Sequence, residues 1–107
     1  MKIPGNTKKM FEQAKQMQDR LKQEVDAVRV EASTGGGMVT VSMDGNKTVT
    51  SIKIDPEAAE DIEMLEDMVQ GAVNEAVRRA DEEAQRRVSG LMGGMFAGGM
   101  LPPGMQG

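Results

Sequence analysis

Residues 38–56, MVTVSMDGNKTVTSIKIDP, constrain the fold more than any other stretch of the chain. Val39, Val41 and Met43 alternate with Thr40 and Ser42, and beyond Asp44-Gly45-Asn46-Lys47 the residues Thr50, Ile52 and Ile54 alternate with Ser51 and Lys53. Alternation with period two on both sides of a turn-forming tetrad predicts a β-hairpin with one apolar and one polar face. A two-residue turn centred on Gly45-Asn46 pairs Met43 with Thr48, Val41 with Thr50 and Val39 with Ile52. Centring it on Asp44-Gly45 shifts the partners by two and keeps the same faces, with Met38 and Val49 as exceptions on the polar side. A sheet patterned this way takes its cover from helices on one face only.

The flanking sequence supplies that cover. Met10, Ala14, Met17, Leu21, Val25 and Val28 recur at helical spacing, which predicts an amphipathic helix over 7–28 with Pro4-Gly5-Asn6 before it. Lys8, Glu12, Lys15, Asp19, Lys22 and Asp26 line the opposite face. VRVEAS (28–33) alternates as a first strand, and TGGG (34–37) reads as a reversing loop. Asp55-Pro56-Glu57 is a helix start, with an acceptor cap, proline at the first position and acid in the first turn. A short helical turn broken near Glu60-Asp61 leads into a long helix ending near Val88. Its apolar series is Ile62, Leu65, Val69, Ala72, Val73, Ala76, Val77, Ala80, Ala84 and Val88, narrowing to alanine, so the distal part has little to bury. Residues 89–107, SGLMGGMFAGGMLPPGMQG, are expected to be a flexible Gly/Met/Pro-rich tail.

The order is α-β-β-β-α, a two-layer α+β fold with a three-stranded antiparallel sheet. A seven-residue strand spans about 23 Å, whereas helices of 22 and 27 residues span about 33 and 40 Å. The terminal helices must therefore project beyond the sheet, which also has two open edges. A homodimer answers both needs, with Leu21, Val25, Leu65 and Val69 as the expected packing positions.

Composition narrows the chemistry. The 107 residues include no Cys, His, Trp or Tyr and only two Phe. The commonest general base, the thiolate nucleophile and most zinc sites are thereby excluded, and no cofactor, metal, small-molecule substrate or enzymatic activity is expected. No run of eighteen apolar residues spans a membrane, and the N-terminus lacks a signal-peptide core, so a soluble cytoplasmic protein is expected. TGGG precedes a strand and so lacks the context of a phosphate loop. The carboxylates of 55–67 lack a calcium-loop pattern and read as a solvated acidic face. The eleven Met residues read as core filling plus tail rather than as a copper site.

Net charge is −4, but unevenly spread: +3 over 1–29, −8 over 55–75 and +1 over 76–88. Lys8, Lys9, Lys15, Arg20 and Lys22 fall on the first helix and Arg78, Arg79, Arg86 and Arg87 on the last. The last helix offers i,i+4 pairs (Arg78–Glu82, Arg79–Glu83, Glu82–Arg86, Glu83–Arg87), and a solvated salt-laced helix accounts for its charges without a ligand. The first offers Lys8–Glu12, Lys15–Asp19 and Lys22–Asp26 in the less favourable order. Lys8 and Lys9 also oppose the helix dipole, a placement suited to a phosphate.

MFEQAKQMQDRLKQE, then TGGGMVTVSMDGNKTVTSIKIDPE, then EMLEDMVQGAVNEAVRRADE, then GMLPPGM resemble, in order and spacing, the YbaB/EbfC family of bacterial nucleoid-associated proteins. The resemblance implies a dimeric α-β-β-β-α protein whose helices project like tweezers. It further implies a domain over 1–88 that binds double-stranded DNA, resides in the nucleoid and influences nucleoid organisation or gene expression. The family's DNA contacts map onto Lys8, Lys9, Lys15, Arg20, Lys22, Arg78, Arg79, Arg86 and Arg87. Many family members carry a lysine where this chain has Thr40. The alternative is a protein-interaction or scaffold module, with the acidic 57–67 segment and the helices gripping another protein and DNA binding incidental.

Overall fold

A computed structural model of the chain describes residues 5–96, with side chains described over 7–94. Helix α1 (Gly5–Asp26) is followed by strand β1 (Arg29–Thr34), a 3-10 turn at Gly35–Gly37, β2 (Val39–Asp44) and β3 (Val49–Ile54). A second 3-10 turn (Pro56–Glu60) precedes helix α2 (Ile62–Phe96). The sheet is antiparallel in the order β1-β2-β3. This is the α+β arrangement expected from the alternation and helical periodicity.

The loop between β1 and β2 turns on three successive glycines, Gly35, Gly36 and Gly37, with φ of 61°, 68° and 96°. No other residue type adopts such a run without strain. The Asp55 carboxylate accepts from the Glu57 amide at 2.9 Å, and Pro56 opens the turn, as its sequence dictates. Asp61 breaks the helical course (φ −124°, ψ 99°), and its side chain then accepts from the Met64 amide at 3.1 Å to start α2.

Three expectations are corrected. The hairpin register is neither of the two considered: Val39 pairs with Ile54, Val41 with Ile52 and Ser42 with Ser51, and an irregularity then sets Met43 opposite Val49. The turn is longer than two residues because the Asp44 side chain accepts from both Asn46 N (2.9 Å) and Thr48 N (3.0 Å). Lys47 takes the left-handed conformation at φ 65°. Val49 consequently lies across from Met43 rather than on the polar face.

The alanines of α2 are not a weak end of its stripe. Ala72, Ala76 and Ala80 are fully buried against Ala32, Val39, Val41 and Met43, and they let the helix backbone approach the sheet closely. Leu65, Val69, Val73 and Val77 flank them, half-buried. The Thr34 hydroxyl donates to the Met68 carbonyl at 2.7 Å, tying the end of β1 to this helix.

Finally, α2 runs through Ser89, Gly90, Gly93 and Gly94 to Phe96, so residues 89–96 are helical and not part of a tail. Glycine weakens a helix interior by roughly 1 kcal/mol without ending it. Here Leu91 is half-buried and shares a cavity with Met17 of α1. The remainder of the expected tail, 97–107, lies outside the described residues.

Candidate nucleic-acid interface

The buried stripe of α2 ends at Ala80 among the described residues. The fifteen residues from Glu82 to Phe96 carry the helix about 22 Å farther. α1 runs antiparallel beside this overhang. Glu24 reaches Arg87 at 3.7 Å, and Met17 and Arg20 line one cavity with Gly90, Leu91 and Gly94. The two terminal helices thus project together as a single arm.

The hairpin turn braces the base of that arm. Asn46 Nδ2 donates to Asp26 Oδ1 at 2.6 Å, and Lys47 Nζ pairs with Asp81 at 3.0 Å. Gly45 is buried, and a Cβ there would collide with the Val25 carbonyl oxygen. Sequence reading took 44–47 only as a chain reversal. Its tertiary role had no periodic signal, because each of the three residues contacts a helix distant in sequence.

The cations divide into two classes. Lys8, Lys9, Lys15, Arg20 and Lys22 are all exposed on α1. Among the described residues none of them forms an ion pair, since the pairs present use Lys47, Arg78, Arg79, Arg86 and Arg87. The lysine-first pairs available in the sequence do not close, and Asp26 is turned to Asn46 instead. Spaced by seven, Lys8, Lys15 and Lys22 fall on one flank of α1, about 10 Å apart along its axis. α1 has no acid in its first turn.

On α2 every candidate arginine is engaged. Arg78 bonds Glu75 through two guanidinium nitrogens and Glu82 at 2.5 Å. Arg79 donates to Glu75 at 3.1 Å and to the Glu31 backbone carbonyl at 2.6 Å, so it holds β1 as well. Arg86 pairs with Glu83, and Arg87 with Glu83 and Glu24. Of the four anticipated i,i+4 pairs, Arg78–Glu82 and Glu83–Arg87 form; Arg79 and Arg86 choose Glu75 and Glu83 instead. Hydrogen bonds from Arg78 and then Arg79 lower the Glu75 pKa from 4.5 to about 2, and the same carboxylate raises that of Arg78.

The expected packing positions divide too. Leu65 and Val69 pack on the chain's own core, while Leu21 and Val25 are half-buried along α1. The bare apolar surface lies elsewhere. Ile52 and Ile54 are 46% and 43% exposed, although their partners Val41 and Val39 are buried under α2. Val49, Ile62 and Met64 are also exposed. The hairpin alternation placed Ile52 and Ile54 on the apolar face, but only the structure shows that α2 leaves β3 uncovered.

On the polar face Thr40 and Ser33 hydroxyls bond each other at 2.8 Å. Among the described residues, no group of His, Cys, Asp or Glu is placed to hold a metal ion, and no helix is long and apolar enough to cross a membrane.

Residues 2–95 match the model of the YbaB/EbfC DNA-binding family. The chain belongs to that family. It is similar to a nucleoid-associated protein of Acidobacterium capsulatum, 42% identical over 95% of this chain and 97% of that protein. Another, from Koribacter versatilis, is 48% identical over 84% of this chain and 91% of its own. The fold is shared with the crystal structure of the uncharacterized Helicobacter pylori protein HP0035. The TM-score there is 0.70 at 20% identity, covering 86% of this chain and 99% of that one.

Proposed function

We propose that this YbaB/EbfC chain is a nucleoid protein of the cytoplasm. It binds duplex DNA as a homodimer, chiefly through backbone phosphates, and thereby influences nucleoid organisation or gene expression. The observation that carries the reading is the set of exposed cations on α1, free of carboxylate partners among the described residues. They stand on an arm extending past the sheet. Lys8, Lys15 and Lys22 meet phosphates along one flank, with Lys9 and Arg20 on the other. Arg78, Arg79, Arg86 and Arg87 reach DNA only by exchanging a carboxylate for a phosphate, so they contribute less. Flexible lysines supply charge without bidentate base readout, which favours sequence-tolerant contact. With a net charge of −4 the protein as a whole repels DNA, so affinity is modest and falls steeply with salt.

The test is a salt-series titration of duplex DNA followed by anisotropy. The log-log slope drops by about 0.9 for each phosphate contact removed. Lys8→Gln, Lys15→Gln and Lys22→Gln together flatten it by up to about 3 units per arm. Arg78→Gln leaves it nearly unchanged. A salt-independent signal, or a triple variant with the wild-type slope, overturns the assignment to α1.

A protein-interaction module is the second reading, favoured by the bare apolar β3 face. On the first reading that face pairs with a second copy. Sedimentation of the purified chain separates the two, since a persistent monomer leaves the face to a different protein.

A further inference from the structure

The N-terminal half of α1 carries apolar groups in the open. Met10 and Phe11 are 66% and 73% exposed, and with Thr7 and Ala14 they line an apolar hollow. Thr7, Phe11 and Ala14 follow one another at helical spacing, so they form one ridge along α1. At about 100° per residue, Phe11 stands half a turn from Arg20, which shares a cavity with Leu91 of α2. The ridge is therefore not the surface that pairs with the chain's other helix. Charge is ordered around it. Lys8, Lys15 and Lys22 are exposed and directly follow Thr7, Ala14 and Leu21, so they run as an adjoining row. Glu12 and Asp19 fall beyond that row, about 100° or more from the ridge. A polyanion that meets α1 ridge-first thus meets lysines before acids.

We propose that this ridge enters the major groove of duplex DNA and packs on the 5-methyl groups of thymine. Phe11 carries most of the contact, while Lys8 and Lys15 hold phosphates along the adjoining wall of the groove. The inference rests on the reading that α1 binds DNA and adds a base-dependent contact to it. An α-helix with its side chains is about 10–12 Å across, and the major groove is about 12 Å wide. The thymine methyl is the apolar group that the bases display there, and Phe, Ala and the Thr methyl are side chains that cover it. A ridge without a bidentate donor counts methyls rather than spelling a sequence, which keeps the contact sequence-tolerant. The α1 ridge of a second copy is the poorer occupant, because it brings a like row of lysines against this one.

The test compares two duplexes in the full-length protein, one with thymine and one with deoxyuridine at every thymine position. The exchange removes the methyl and leaves the Watson–Crick edge intact. In anisotropy titrations at one salt concentration the wild type binds the deoxyuridine duplex at least about fourfold more weakly, the factor equivalent to about 0.8 kcal/mol for one buried carbon. Methylating the cytosines of that duplex at C5 restores affinity. Phe11→Gln binds all three duplexes alike and keeps the wild-type salt slope, since its lysines remain. Its circular-dichroism spectrum is that of the wild type, because Phe11 is exposed. Equal binding of the first two duplexes by the wild type, with a lysine-dependent salt slope intact, overturns the ridge contact alone. Absence of that slope overturns the α1 phosphate assignment and this contact with it. Full discrimination retained by Phe11→Gln overturns the role of Phe11, and weaker self-association of that variant in sedimentation without loss of discrimination assigns the ridge to a second copy.

Discussion

Glu75 lies one turn before Arg78 and Arg79 on α2 and accepts hydrogen bonds from both, while Arg79 also holds the Glu31 carbonyl of β1. The folded chain keeps this carboxylate ionised to about pH 2, whereas an unconstrained glutamate takes its proton near 4.5. A depressed folded pKa gives stability that is complete above the unfolded value and lost as pH falls through that window. Glu75→Gln should therefore lower the Tm at neutral pH, and the gap from wild type should narrow as the buffer is taken to about pH 3. Thermal melts by circular dichroism check both the sign and the narrowing. At Gly45 the constraint is steric, since an added methyl meets the Val25 carbonyl at the base of the arm. Gly45→Ala should cost about 1–3 kcal/mol in urea unfolding, through overpacking rather than any change at the turn's hydrogen bonds.

Among the elements, α2 rests on the sheet through Ala72, Ala76 and Ala80. A longer side chain there must lift the helix or displace Val41 and Met43. Ala76→Leu should lose about 1–3 kcal/mol with an unchanged urea m-value. The alternation of β2 and β3, the Asp55-Pro56 start and the break at Asp61 were all legible in the sequence, because each depends on local spacing or a cap. The hairpin register was not, because it follows from the Asp44 carboxylate collecting two amides and from Lys47 taking a left-handed φ. The end of α2 was misjudged for a related reason. Gly90 and Gly94 look like terminators in isolation, but the helix runs on through them to Phe96 beside Met17 and Arg20 of α1.

At the scale of the molecule the chain is drawn out, with extents of 71 × 35 × 16 Å. Its radius of gyration is 20.7 Å, where a compact chain of this length has about 13 Å. Long helices on short strands made that shape foreseeable, but the sharing of one arm by both helices required tertiary contacts. The cations of the candidate site were all visible in the sequence. Their division into free lysines on α1 and engaged arginines on α2 was not, because side-chain pairing depends on rotamers and on the reach of Arg79 to β1. The uncovered β3 face belongs to this scale as well. For the proposed homodimer, Ile52→Lys with Ile54→Lys should weaken association at least about tenfold in sedimentation equilibrium, because each charge must be desolvated at a contact. The circular-dichroism spectrum should be retained, since both side chains are exposed in the single chain.

The glycines near the end of α2 also make it a rod of uneven temper. Up to Val88 it has no glycine except Gly71, which lies against Thr34 of the sheet, whereas Gly90, Gly93 and Gly94 have no neighbour within reach of an added Cβ. Glycine leaves the backbone more freedom to bend and unwind. A load applied to the tip is therefore absorbed by yielding in the last two turns, and little of it is transmitted as torque to the three strands below.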